Sequence, residues 1–163
     1  MSVGSGEAAE PRVRPLCESD FEAVVALWHE TKQDAYPYLP LEQGRTLEEE
    51  ADFFRVRILS RCAVFVVEIR GGLAAFLAVD GSYVDRLYVH PRCQRHGIGS
   101  LLLRKAFELS PEGVELHTHQ KNETACAFYE KHGFRAVRYG TSPPPESEPD
   151  VEYHWRPKVI TGS

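Results

Sequence analysis

The stretch Tyr83 to Leu103 constrains this chain more than any other. Tyr83 to Val89 is rich in β-branched and aromatic residues and predicts a strand, which Pro91 stops. Ile98 to Phe107 carries apolar residues at helical spacing and predicts a helix. Between them lies the basic turn Arg92-Cys93-Gln94-Arg95-His96-Gly97-Ile98-Gly99. A helix start offers unpaired N–H groups and the positive end of its dipole, so this turn is a candidate anion site. Gly97 and Gly99 lack side chains and would let a phosphate approach the backbone. Charge supports the reading. The chain has a net charge of −5, yet Arg86 to Phe107 holds five Arg/Lys and no acid. A basic island on an acidic chain suits a small polyanion and argues against general nucleic-acid binding.

Two common phosphate motifs do not fit. The dinucleotide fingerprint wants glycines directly after the strand and a third where Leu102 stands. The P-loop wants Gly-Lys-Ser/Thr, which is absent here. A length of 163 residues predicts one domain. No apolar run reaches membrane-spanning length, so no membrane partner is expected. Met1 to Glu7 has neither a basic region nor an apolar core and does not read as a signal peptide. Cys17, Cys62, Cys93 and Cys126 form no C-x-x-C pair and read as free thiols of a cytoplasmic protein.

Residues 1–11 read as a disordered lead-in, 12–157 as a single domain and 158–163 as a loose tail. Arg12 to Leu16 predicts a short strand, followed by a helix capped at Ser19 or Asp20 and running to about Thr31. The proline-broken Asp34 to Pro40 brings Tyr36 and Tyr38, which wall a pocket or pack a loop. Thr46 and Glu49 form a capping box for a second helix, with Phe53, Phe54, Val56, Ile58 and Leu59 as its buried side. Strands follow at Ala63–Ile69 and Leu73–Val79, joined by a tight Gly turn. After the central strand and its helix, Val114 to Gln120 is another strand. Asn122 caps a helix that Gly133 ends. Phe134–Tyr139 and Val151–Trp155 close the chain as a strand pair around a proline-rich loop expected to be mobile.

Two motifs now combine. Gln94-Arg95-His96-Gly97-Ile98-Gly99 matches Q/R-x-x-G-x-G/A after a strand ending Leu-x-Val-x-Pro. Asn122 to Phe134 reads Asn-x-x-Ala-x-x-Phe-Tyr-Glu-x-x-Gly-Phe, one helix and one strand later. Together they resemble the GNAT superfamily of acetyl-CoA-dependent N-acetyltransferases, and the order of flanking elements agrees. The resemblance implies a mixed α/β fold with a central, mostly antiparallel twisted sheet of about seven strands and about four helices on its two faces. It implies acetyl-CoA as cosubstrate. The backbone of Leu87, Tyr88 and Val89 would pair with the pantetheine arm. Gln94, Arg95, His96, Gly97, Ile98, Gly99 and Ser100 would hold the pyrophosphate. Asn122 would hydrogen-bond the cofactor, and Tyr129 would stand beside the sulfur as general acid.

Acyl transfer sets the remaining chemistry. An alkyl amine of pKa about 10 is almost wholly protonated at neutral pH, so a base must take its proton. Asp85 is the candidate on the central strand; His117 or His119, or a chain of waters, are alternatives, and Tyr83 is a poor base. His117 and His119 share one strand face, but no third ligand has a metal-site spacing, so no metal is expected. No nucleophile motif such as G-x-S-x-G is present, which favours direct attack by the amine. The acceptor is a small-molecule amine or a protein or peptide amine. Glu42, Glu48, Glu49, Glu50 and Asp52, with Glu146, Glu148, Asp150 and Glu152, would form an acidic mouth for a cation. A homodimer is compatible with the sequence. The alternative function is a non-catalytic acyl-CoA-binding sensor or interaction module on the same fold.

Overall fold

The computed structural model describes residues 10–39 and 44–158. Its elements run β1 (Arg12–Pro15), α1 (Phe21–Ala35), α2 (Leu47–Phe53), β2 (Ala63–Ile69), β3 (Gly72–Asp80), β4 (Tyr83–Val89), α3 (Ile98–Leu109), β5 (Val114–His119), α4 (Glu123–Lys131), β6 (Arg135–Thr141) and β7 (Pro149–Trp155). The seven strands form one sheet in the order β1-β2-β3-β4-β5-β7-β6. Every neighbouring pair is antiparallel except β4 and β5. The mixed sheet with helices on two faces is the expected architecture. Glu42 lies outside the described residues, as do 1–9 of the expected lead-in and 159–163 of the expected tail.

The near-continuous apolar reading of β2 and β3 has a simple cause: both faces of the sheet are covered. Val67, Ala75 and Leu77 face one way, against Leu102, Leu103 and Ala106 of α3 and Tyr129 of α4. Val64, Val66, Phe76 and Ala78 alternate to the other side and meet Val24 and Trp28 of α1 and Phe54 and Ile58 after α2. Burying a side chain such as Phe76 or Leu77 is worth about 1.5–3 kcal/mol, so β3 anchors both cores.

The Thr46–Glu49 capping box forms as expected, with Glu49 N donating to Thr46 Oγ1 at 3.1 Å and Thr46 N to Glu49 Oε1 at 3.2 Å. The helix departs from expectation beyond Phe53. Leu59 N donates to Phe54 O at 2.9 Å, five residues back, so the last turn widens. Phe54 and Ile58 are buried, whereas Val56 is 64% and Leu59 38% exposed. A regular period would have kept Leu59 near the buried face; the wide turn rotates it outward. Helix α1 runs four residues past the expected Thr31, to Ala35. Asp20 precedes it without a side-chain cap: its carboxylate instead accepts from Cys17 N at 2.8 Å and from both terminal nitrogens of Arg14. The four cysteines are free thiols. The β6–β7 loop is closed at its base, where Ser142 N donates to Glu148 O and Lys121 Nζ lies 3.2 Å from Glu148.

Candidate active site

Strands β4 and β5 pair only at Tyr83–Glu115 and Val84–Leu116. Beyond Val84 they separate, because β5 is paired along its whole length with β7 and follows that strand. The edge of β4 from Asp85 to Val89 is therefore open on the β5 side. Leu87, Tyr88 and Val89 lie on this edge, free to pair with an extended ligand as a further strand would.

A bulge re-aims this strand. Ala78 of β3 pairs with Arg86, and Val79 with Val84, so Asp85 is the extra residue. Strict alternation would send Asp85 and Arg86 to opposite faces; a bulge lets neighbours point the same way. Tyr83, Asp85, Arg86 and Tyr88 all line one cavity of about 790 Å³. Tyr83 is pushed up to about 12 by burial first and then by the charge of Asp85, which removes it as a base at neutral pH.

The strand end leads into the basic turn. Gln94 Nε2 donates to Val89 O at 3.0 Å, so this side chain ties the turn to the strand rather than reaching out. Arg95 has φ +67°, and Gly97, which precedes α3, has φ +77°. The first helical bond runs from Leu101 N to Gly97 O. The N–H groups of Ile98, Gly99 and Ser100 thus have no partner within the helix and can receive an anion. Arg92, Arg95 and His96 are exposed around them. Gly99 has a different reason from the one the sequence suggests: a Cβ there would stand 2.9 Å from Phe128 Cζ, so its absence lets α3 and α4 meet. Ser100 Oγ lies 2.8 Å from His132 Nε2, while His132 Nδ1 donates to Phe128 O, so the serine hydroxyl donates to the imidazole and joins the same helix contact.

On the other wall, Asn122 Oδ1 accepts from Ala125 N at 3.1 Å and caps α4. Its amide nitrogen makes no hydrogen bond among the described residues. Two turns on, Tyr129 is 7% exposed, with its ring against Phe128, Phe134 and Tyr153. Its hydroxyl makes no hydrogen bond among the described residues. Burial holds the phenol above its ordinary pKa, and the neighbouring Tyr88 adds to the shift. Tyr88 in turn lies 3.5 Å, oxygen to oxygen, from Tyr36. Phenols from α4, β4 and the end of α1 thus converge where the strands part.

The rest of the cavity was only partly legible in the sequence. Trp28, Lys32 and Phe53 wall one side. Lys32 Nζ is 2.7 Å from Glu50 Oε1, with both side chains buried. Glu50 is therefore spent on an internal ion pair and corrects the expected acidic mouth. Glu48 and Asp52 are exposed, Glu49 belongs to the capping box, and Glu148 pairs with Lys121. Glu146, Asp150 and Glu152 do line the cavity. The signal for Lys32 was its place four residues after Trp28, on the apolar stripe of α1. His117 and His119 share their strand face as expected, but their nitrogens are engaged. Tyr38 Oη is 2.7 Å from His119 Nδ1, and Glu146 Oε1 is 2.7 Å from His119 Nε2. Tyr83 Oη is 2.8 Å from His117 Nδ1. Among the described residues no group of three or more His, Cys, Asp or Glu is arranged to hold a metal.

A sheet that splits beside a glycine-bearing helix start, with a buried phenol under the split, is the arrangement that the resemblance to the GNAT superfamily implies. Residues 60–136 match the family model described as "Acetyltransferase (GNAT) domain". Among curated proteins the chain is similar to the peptidyl-lysine N-acetyltransferases YiaC and YjaB of Escherichia coli. It is 27% identical to YiaC over 126 residues, covering 77% of this chain and 84% of that protein. It is 28% identical to YjaB over 126 residues, covering 77% and 82%. Among solved structures, apo YjaB from Escherichia coli superposes with a TM-score of 0.74 at 22% identity, covering 90% of this chain and 97% of that one. The PaiA N-acetyltransferase of Thermoplasma acidophilum, solved with coenzyme A, gives a TM-score of 0.66 at 20% identity, covering 90% and 99%. These two likenesses carry the fold.

Proposed function

We propose that this protein transfers the acetyl group of acetyl-CoA to a primary amine by direct attack. The observation that carries the reading is the parting of β4 from β5 after Val84, with Tyr129 buried beneath it and open helical N–H groups at its end. The N–H groups of Ile98, Gly99 and Ser100, with Arg92, Arg95 and His96 around them, hold the cofactor's phosphates. The open edge at Leu87, Tyr88 and Val89 pairs with the pantetheine amides, and the amide nitrogen of Asn122 supplies a further donor.

The step balances without a covalent enzyme intermediate. The ammonium gives one proton to Asp85, and the amine so freed gives its lone pair to the acetyl carbonyl carbon. A C–N bond forms, the C–S bond breaks, and the sulfur leaves with the electron pair. Tyr129 donates its proton to that sulfur, and the second nitrogen proton, released as the amide forms, restores the phenol through water. A phenol is protonated at neutral pH, so Tyr129 holds a proton to give, while burial, which raises its pKa, makes it a weaker acid than an exposed tyrosine. A backbone N–H near Val89 receives the charge that grows on the carbonyl oxygen. Amine acceptors accord with the activity for which YiaC and YjaB are named. The test is thiol release from acetyl-CoA with a panel of amines. Saturable, amine-dependent release is expected. Tight acetyl-CoA binding with no release for any amine would leave the sensor reading instead.

A further inference from the structure

We propose that the acceptor is a free α-amino acid, recognised by the adjacent carboxylate and guanidinium of Asp85 and Arg86. The inference rests on the acetyltransferase reading above and names its substrate class. The bulge turns both side chains into the cavity, where Arg86 Nε and Asp85 Oδ2 lie 3.3 Å apart. That contact lacks hydrogen-bond alignment: neither atom makes a hydrogen bond, and both are sealed from solvent. Packing and the Tyr88 hydroxyl hold the guanidinium instead. The Arg86 guanidinium carbon lies 5.3 Å from the Trp28 ring and 5.4 Å from Phe53. A guanidinium fixed on aromatic faces and meeting one phenol, beside but not forked onto a carboxylate, keeps its remaining donors for another planar anion. About a quarter of the Arg86 side chain and a fifth of Asp85 remain accessible, 25% and 19%.

An anion and a cation side by side are the complement of an α-amino acid. Its ammonium group lies beside the Asp85 carboxylate, which is also the proton acceptor of the proposed step. Its carboxylate receives the Arg86 donors. A cation without a carboxylate leaves Arg86 unanswered in an enclosed site, where an unpaired charge is costly. The walls also favour a small acceptor. The β6–β7 loop forms one side of the cavity through Ser142, Pro143, Pro145 and Glu146, and Glu146 is tied to His119 at 2.7 Å.

The test is a matched acceptor series with acetyl-CoA: amino acids, their α-amides, the amines lacking the carboxylate, and lysine-containing peptides with blocked termini. The best amino acid is expected to exceed its own amide in kcat/KM by about thirtyfold or more, the scale of truncating one partner of a buried charge pair. Arg86→Gln should collapse that ratio towards one, and Arg86→Lys should keep part of it. Amides, plain amines or peptides used as well as the amino acids would overturn the inference while leaving the acetyltransferase reading intact. No release with any amine of the series would overturn both. If Arg86→Gln does not fold, the wild-type acid-to-amide ratio decides by itself.

Discussion

Lys32 and Glu50 form an ion pair 2.7 Å long between α1 and the turn of α2, with side chains 4% and 0% exposed. The Lys32 ammonium also lies 3.8 Å from the centroid of the Trp28 ring. The pair fastens two helices that wall one side of the cavity. Lys32→Met should destabilise the fold by about 3 kcal/mol or more, because it strands a buried carboxylate. Adding Glu50→Gln should recover a large part of the loss. Denaturant unfolding of the single and double variants measures both, and a double variant no better than Lys32→Met would refute the pairing energy argued here.

Tyr129→Phe keeps the ring and its contacts and removes only the hydroxyl. Stability and acetyl-CoA affinity should stay near wild type, while kcat falls by roughly 10²-fold, the scale of one positioned proton donor. Steady-state kinetics with parallel binding measurements checks this. Wild-type turnover in that variant would reduce Tyr129 to a core aromatic.

Asp85→Asn should lower kcat/KM at neutral pH by about 10²-fold, the usual contribution of a general base. The deficit should shrink as pH approaches the amine's own pKa of about 10, where the neutral amine no longer needs a base. A deficit constant from pH 7 to 10 would argue that Asp85 positions the acceptor without taking its proton.

Gly97 has φ +77°, with open space where a Cβ would stand. Acetyl-CoA should raise the wild-type melting temperature by mass action. Gly97→Asp should abolish that shift, since it sets a negative charge at the phosphate site. Gly97→Asn carries a similar backbone strain without the charge and should retain most of it. Thermal shifts of the three proteins with and without acetyl-CoA separate charge from strain, and an undiminished shift in Gly97→Asp would remove the turn from the binding site.

Asp20 accepts from Arg14 Nη1 at 2.7 Å, Arg14 Nη2 at 3.0 Å and Cys17 N at 2.8 Å. The Arg14 hydrogen bonds lead in holding its carboxyl below the ordinary 3.8. A carboxyl depressed in the folded state stabilises fully above its unfolded value and loses that contribution as pH falls through the folded one. Asp20→Asn should therefore cost on the order of 1 kcal/mol at neutral pH, the low figure reflecting solvent at the pair's edge. Melting curves of the two proteins should converge below the ordinary carboxyl value. A gap that persists in strong acid would show that shape, not charge, sets the Asp20 contribution.

The sequence by itself determined what depends on near neighbours along the chain. The Thr46–Glu49 box, the Asn122 cap and the left-handed Gly97 each involve residues within about four positions of one another. The two faces of β2 and β3 follow from period-two alternation, and the basic turn before α3 from its own residues. The resemblance of Gln94–Gly99 and Asn122–Phe134 to one family then supplied the element order. Tertiary structure decided the rest. Asp85 and Arg86 share a cavity only because β3 pairs past the bulge, a register that no local pattern in Tyr83–Val89 encodes. Gly99 is required by a ring 29 residues away on α4, and Glu50 is neutralised by a lysine 18 residues back. These contacts join elements distant in sequence, so packing and strand register fixed them and local propensity could not.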